Sequence, residues 1–222
     1  MKRWLIRGAY VVASLLTFST LAFAILQPIQ VLPRIGLGPG ILLVDQDGSS
    51  VSSDSLRGKI VLYSFNYSRC TTPCQGSQAV LQEVQRQLLA EGAGRTVPVQ
   101  LVTVSIDPEH DSPVVLRQMA AAAGANPTLW SFATGEPSRL KYAIGGGFGI
   151  YYGPNEEGLL DYDPAMMLID GWGIVRAEYR TPTPKLATVL RDIALLTDEA
   201  KNSQGAARYA YEAAHLFLCY PH

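Results

Sequence analysis

The segment from Ile60 to Cys74 constrains this chain more than any other. Its first half, Ile60-Val61-Leu62-Tyr63-Ser64-Phe65, is a run of β-branched and aromatic residues. A run without regular polar alternation reads as a strand covered on both faces, the mark of a central strand in an α/β layer fold. Its second half holds Cys70 and Cys74 with three residues between them, and Pro73 just before the second cysteine. Proline is favoured at the opening of a helix. Val80, Leu81, Val84, Leu88 and Leu89 then recur at helical spacing and predict a helix from about Ser77 to Ala90. A loop bearing two thiols thus joins a buried strand to a helix N-terminus. Free N–H groups and the helix dipole favour a thiolate there.

The remaining elements follow from similar signals. Ile41 to Val44, the turn Asp45-Gln46-Asp47-Gly48 and Val51 predict an N-terminal β-hairpin. Val97 to Ile106 is a second strong strand, with Pro98 tolerable only near its start. Ser112-Pro113 opens a helix, Leu129 to Ala133 is a short strand, and Glu136 to Ile144 is a short helix ended by Gly145-Gly146-Gly147. Met166 to Asp170 and Ile174 to Tyr179 form a hairpin, and Thr183 to Leu196 a further helix. Strand, helix, strand, helix at these lengths implies a parallel central pair. The fold class expected is α/β, a thioredoxin-like fold with an N-terminal β-hairpin addition.

The N-terminus speaks to compartment. Lys2, Arg3 and Arg7 precede an apolar run from Gly8 to Leu26, which suits a signal peptide or a single transmembrane helix. Ala22-Phe23-Ala24 resembles a cleavage site, while the length of the run favours an uncleaved anchor. Basic residues ahead of the run put the N-terminus inside and the rest outside. The expected localisation is the cell membrane, single-pass, with the domain on the periplasmic or extracytoplasmic side, where cysteines can cycle with disulfides. The organisation expected is an anchor or signal over 1–26, a linker over 27–40, one domain over 41–196 and a C-terminal helical extension over 197–222. A formal net charge of -1 offers no electrostatic case for nucleic acid. Three cysteines are too few for a disulfide framework.

Asp45-Gln46-Asp47-Gly48, the strand Ile60 to Phe65, the cysteine pair, Ser105-Ile106-Asp107-Pro108, and Trp130 with Thr134-Gly135 together resemble the SCO/SenC family. The resemblance covers roughly Gly40 to Leu196. It implies a membrane-anchored, thioredoxin-fold protein of cytochrome c oxidase assembly, with a copper site and a thiol-based role. The family holds copper through both cysteines and one histidine, in the loop before the strand placed here at Met166. Aligning Leu168-Ile169 with that strand puts Tyr162, or a neighbour, where the histidine would be. The segment Leu160-Asp161-Tyr162-Asp163-Pro164 contains no histidine; His110, His215 and His222 are the only ones in the chain.

Cys70 and Cys74 are therefore the candidate catalytic pair and the candidate Cu(I) ligands. Two thiolates suit a soft ion and also suit exchange, in which one attacks a partner disulfide and the other resolves it. Cys70, nearer the loop, is the expected attacker. Pro164 and Asp107 are candidate substrate-positioning residues. In thioredoxin-like folds a cis-proline occupies the Pro164 position, and a cis bond would present backbone to an extended substrate segment; an ordinary loop proline is the alternative. His110 reads as a solvated loop residue beside Glu109 and Asp111. Met166 and Met167 read as core, one facing in and one away. Tyr162 and Asp163 are poor matches for Cu(I). His215, Cys219 and His222 could form a second metal site or lend His215 to the pair; otherwise the tail is an apolar docking helix. Three functions stay open. One is oxidase assembly, by copper delivery or thiol–disulfide exchange with the oxidase's copper-site subunit or another exported thiol protein. The others are a metal-free thiol–disulfide oxidoreductase and a family member that only binds a partner.

Overall fold

A computed structural model of the chain describes residues 2–26, 29–92, 97–203, 205 and 207–217. Its centre is an eight-stranded sheet in the order β1-β10-β9-β4-β5-β6-β2-β3. The strands are β1 (Gly36–Leu37), β2 (Leu42–Asp45), β3 (Ser50–Ser52), β4 (Ile60–Asn66), β5 (Val99–Ser105), β6 (Trp130–Thr134), β9 (Met166–Ile169) and β10 (Ile174–Tyr179). Strand β4 pairs parallel with β5, and β5 parallel with β6. On its other side β4 pairs antiparallel with β9. The remaining two strands, β7 (Tyr152–Pro154) and β8 (Leu160–Tyr162), form a separate hairpin.

Every residue of β4 is buried, as its unbroken apolar run requires. Alternation sorts the side chains to two cores. Ile60 and Leu62 join Leu101, Trp130, Phe132, Met166 and Leu168 in one. There they meet Leu81, Val84 and Leu88 of α2 (Thr72–Ala90) and Val189, Ile193 and Leu196 of α5 (Leu186–Asn202). Val61, Tyr63 and Phe65 face the other core with Val102, Val104, Met167 and Phe148. Met166 and Met167 are both fully buried. The expectation that one would point away is corrected: β9 is covered on both faces, so both directions lead into a core.

Several boundaries differ from the sequence expectation. Helix α2 begins at Thr72, so Cys74 lies in its first turn. The 137–147 segment is a short α-helix, α4 (Pro137–Leu140), that widens into a π-helical turn over Lys141–Gly147. Gly36 and Leu37 add an edge strand to β10 from what reads as linker. The hairpin β7–β8 was not foreseen. Helix α5 runs on to Asn202. No peptide bond among the described residues is cis, so a cis Pro164 is corrected to trans, the form X–Pro bonds prefer unless a turn demands otherwise.

Helix α1 (Lys2–Leu26) takes the basic and apolar N-terminal segment as one helix. Among the described residues, no helix is long and apolar enough to cross a membrane, so the fold lends no support to a transmembrane span. At the other end, α6 (Ala207–Phe217) docks on the domain through buried Ala214 and an Arg34–Glu212 ion pair of 3.1 Å. The C-terminal metal-site expectation is corrected in part. His215 Nε2 lies 2.9 Å from Glu199 Oε1, not lent to the cysteines, while Cys219 and His222 lie outside the described residues.

Glu199 also accepts from the buried Arg176 guanidinium at 2.8 and 3.2 Å. Burial pushes the Glu199 carboxyl up, but the hydrogen bonds from His215 and Arg176 outweigh it and leave its pKa below the ordinary 4.5. A folded-state pKa below the unfolded value contributes stability that is present above the unfolded value and lost as pH falls through the folded one. The domain should therefore lose stability as pH falls through the acid range below the ordinary 4.5. Urea unfolding across that window should show a shallower slope for Glu199→Gln than for the wild type. An equal slope would mean this carboxylate does not contribute.

Candidate functional site

The cysteine loop is held between two structures that the sequence places far apart. Strand β4 ends at Asn66, whose side chain accepts from the Tyr67 N–H at 2.6 Å. The chain turns there, with the Cys70 N–H donating to Tyr67 O at 3.1 Å. Cys70 and Cys74 form a disulfide with Cα atoms 6.0 Å apart. Cys70 is half-buried, whereas Cys74 is only 3 % exposed. No side chain caps α2, so the first-turn N–H groups beside Cys74 keep the dipole's positive end at the sulfur. Ser77 Oγ donates to Pro182 O at 3.1 Å and ties that turn to the segment before α5.

Beneath the loop lies the end of β5. Arg69 donates to Asp107 Oδ2 through Nε at 3.0 Å and Nη2 at 2.7 Å. His110 Nδ1 meets the other oxygen of Asp107 at 2.8 Å. Asp107 also lines an open cleft of about 480 Å³ shared with Lys141, Tyr152 and Leu160. Asp111 is fully buried; its Oδ2 accepts from the Ser68 N–H at 3.0 Å and from Ser105 Oγ. Two carboxylates thus fix the loop from below. His110, read from sequence as a solvated loop residue, is exposed but hydrogen-bonded to Asp107.

Above the loop lies the β7–β8 hairpin. The Tyr162 hydroxyl is 3.1 Å from Cys74 Sγ. Tyr67 Oη donates to Leu160 O at 2.8 Å and accepts from Leu160 N–H at 3.2 Å, and its ring meets Tyr162 edge-on at 6.4 Å. Arg69 Nη1 reaches Gly158 O at the hairpin tip, at 3.1 Å. Burial, with Tyr67 adding to it, pushes the Tyr162 phenol well above its ordinary pKa of 10.0, so it stays protonated at neutral pH. Asp163 is exposed, and Pro164 is partly buried with a trans bond. Among the described residues, no group of three or more His, Cys, Asp or Glu side chains is placed to hold a metal ion.

A family model, SCO1/SenC, matches residues 37–197 of this architecture, with the cysteine loop inside the match. The chain belongs to the SCO1/SenC family. Its relatives include the SCO1 protein homolog of Bacillus subtilis, 29 % identical over 137 residues, 61 % of this chain and 69 % of that protein. The SCO2-like protein of Rickettsia felis is also 29 % identical, over 85 residues that cover 38 % of this chain and only 40 % of that protein. Among solved structures, a SCO1/SenC family lipoprotein from Bacillus anthracis superposes with a TM-score of 0.67 at 23 % identity, over 74 % of this chain and 96 % of that one. Arabidopsis thaliana ScoI, solved with copper bound, gives 0.62 at 22 % identity, over 74 % and 98 %. BsSco, described as having a disulfide switch and as one of the Sco family of cytochrome c oxidase assembly proteins, gives 0.65 at 23 % identity, over 76 % and 98 %. These likenesses place the chain in a thioredoxin-like SCO fold.

Within that fold, the structure brings Cys70, Cys74 and Tyr162 together and sets Asp107 under the loop. Tyr67 and Asp111 were not singled out from sequence. The one available signal for Asp111 was its place four residues after Asp107, where a turn could return it to the strand end.

Proposed function

We propose that this SCO-family protein acts by thiol–disulfide exchange at Cys70 and Cys74, on the extracytoplasmic side of the cell membrane, in the assembly of cytochrome c oxidase. The partner would be the oxidase's copper-site subunit or another exported thiol protein. The basic and apolar N-terminal segment would direct export. The observation that supports exchange is the closed Cys70–Cys74 disulfide with one sulfur half-exposed and the other buried. An accessible sulfur paired with a shielded one is the arrangement that attack and resolution require.

Copper is the family's other chemistry, and the residues here do not fit a three-ligand centre. Two thiolates suit Cu(I), but a protonated phenol is a poor soft-metal donor. The reduced domain is therefore expected to bind Cu(I) no more tightly than a two-cysteine peptide in competition with a chromophoric chelator. Tyr162→His supplies an imidazole beside the two sulfurs and should tighten binding. Wild-type affinity well above that of the peptide would restore copper delivery as the leading function.

A further inference from the structure

We propose that Tyr162 is a catalytic residue of the exchange reaction. Its hydroxyl donates a hydrogen bond that stabilises Cys74 as the departing thiolate and so directs attack to Cys70. This rests on the exchange reading above and deepens it.

The direction of the hydrogen bond follows from the chemistry of the pair. In the disulfide, Cys74 Sγ carries no proton, so across the 3.1 Å contact the Tyr162 hydroxyl must be the donor. A disulfide sulfur is a weak acceptor and a thiolate a strong one. The bond therefore strengthens as the S–S bond breaks toward Cys74, and an interaction that grows along the reaction lowers the barrier. Attack at Cys74 would send the charge to Cys70, whose sulfur no hydroxyl among the described residues contacts, and Cys74 itself is shielded.

The donor is also held in place. Tyr67 bonds both backbone groups of Leu160, two residues before Tyr162 on the same strand. Arg69 ties the hairpin tip to the cysteine loop, and Asp107 takes up its charge. Tyr67 and Arg69 are positioning residues. They carry the hairpin that brings the hydroxyl to the sulfur.

The step balances as follows. A partner thiolate attacks Cys70 Sγ and forms a partner–Cys70 disulfide. The Cys70–Cys74 bond breaks, and its electron pair stays on Cys74 as a thiolate held by the Tyr162 O–H. A second partner thiolate attacks the partner sulfur of the mixed disulfide and releases Cys70 as a thiolate. The partner dithiol is oxidised to its disulfide and the pair is reduced by two electrons. The two protons given up by the partner are taken by the cysteines. Run backward, the same contact stabilises Cys74 as the resolving nucleophile.

The test uses the full chain with Cys219→Ser as background. In Cys70→Ser, the lone Cys74 is titrated by thiolate ultraviolet absorbance, with and without Tyr162→Phe. The midpoint should rise when the hydroxyl is removed; an unchanged midpoint overturns the proposal. Placing 3-fluorotyrosine at position 162, a more acidic donor of the same shape, should lower it. That graded response is one a merely structural hydroxyl would not produce, and it decides the matter even if Tyr162→Phe folds poorly. With the pair intact, reduction of the oxidised protein by dithiothreitol should slow about tenfold in Tyr162→Phe, the effect of one charge-assisted hydrogen bond. A wild-type protein inert to dithiothreitol would defeat the exchange reading itself, whereas the titration judges the Tyr162 contact independently.

Discussion

Cys74→Ser should convert the protein from an exchanger into a trap. With Cys219→Ser as background, the reduced Cys74→Ser chain treated with oxidised glutathione should accumulate a stable mixed disulfide at Cys70. The half-exposed sulfur can still attack, but no second thiol remains to resolve the product. Cys70→Ser should react far more slowly, because its remaining sulfur belongs to a side chain only 3 % exposed. Neither variant should turn over a dithiol substrate above the level of an unstructured monothiol peptide. Intact-mass measurement of the adducts reads both results. Equal adduct formation by the two variants would mean that exposure does not set the order of attack. Loss of the disulfide should also cost about 2 kcal/mol of stability by the chain-entropy model, since the closed loop is short. Both serine variants share that cost, so a difference in reactivity between them is chemical.

Arg176→Leu should produce the largest loss of stability. Arg176 is 1 % exposed and reaches several elements at once. It donates to Asp170 Oδ2 at 2.9 Å, after β9, and to both oxygens of Glu199 on α5. It also donates to Leu32 O at 2.7 Å and Pro33 O at 3.0 Å, in the segment that enters the domain. Removing the cation leaves two carboxylates facing each other out of water and two carbonyls without their donor. Breaking one side of a buried ion pair costs about 3–5 kcal/mol. For a domain of this size each kcal/mol lowers the melting temperature by about 2–4 °C. Arg34→Ala is the control. It removes the exposed Arg34–Glu212 pair, whose contribution should be about 0–1 kcal/mol. Urea midpoints for the two variants decide the point, and a loss below about 1 kcal/mol for Arg176→Leu would show that the cluster is no more than a surface-type pair.

These two sets of residues differ in how far they can be read from sequence. The cysteine pair announces itself, because its chemistry depends on local features: a buried strand, a short loop and a helix start within 15 consecutive positions of the chain from Ile60 to Cys74. The Arg176 cluster has no local pattern. An arginine in a strand reads as a solvent-facing residue, and only the convergence of β10, α5, α6 and the entering segment buries it with its partners. The hairpin over the pair was similarly hidden. Tyr152-Gly153-Pro154 and Leu160-Asp161-Tyr162 are too short and too polar to carry a strand signal, and they are stabilised by each other and by Tyr67.

Periodicity and spacing were enough to foresee β4, β5, β6, the helix after the cysteines, the α/β class and the place of the two cysteines between strand and helix. Each is dictated by residues near in sequence, whose side chains must bury or expose themselves whatever lies around them. The resemblance to the SCO/SenC family further pointed to Tyr162, or a neighbour, at the place of the missing histidine. Folding alone could bring its hydroxyl, 88 positions from Cys74, to that sulfur and partly bury its ring. Hydrogen-bond partners and burial are properties of neighbours in space, and a sequence lists neighbours along the chain. The strand–loop–helix of Ile60 to Cys74 set out two thiols. The packing of a distant hairpin set one of them against a hydroxyl donor.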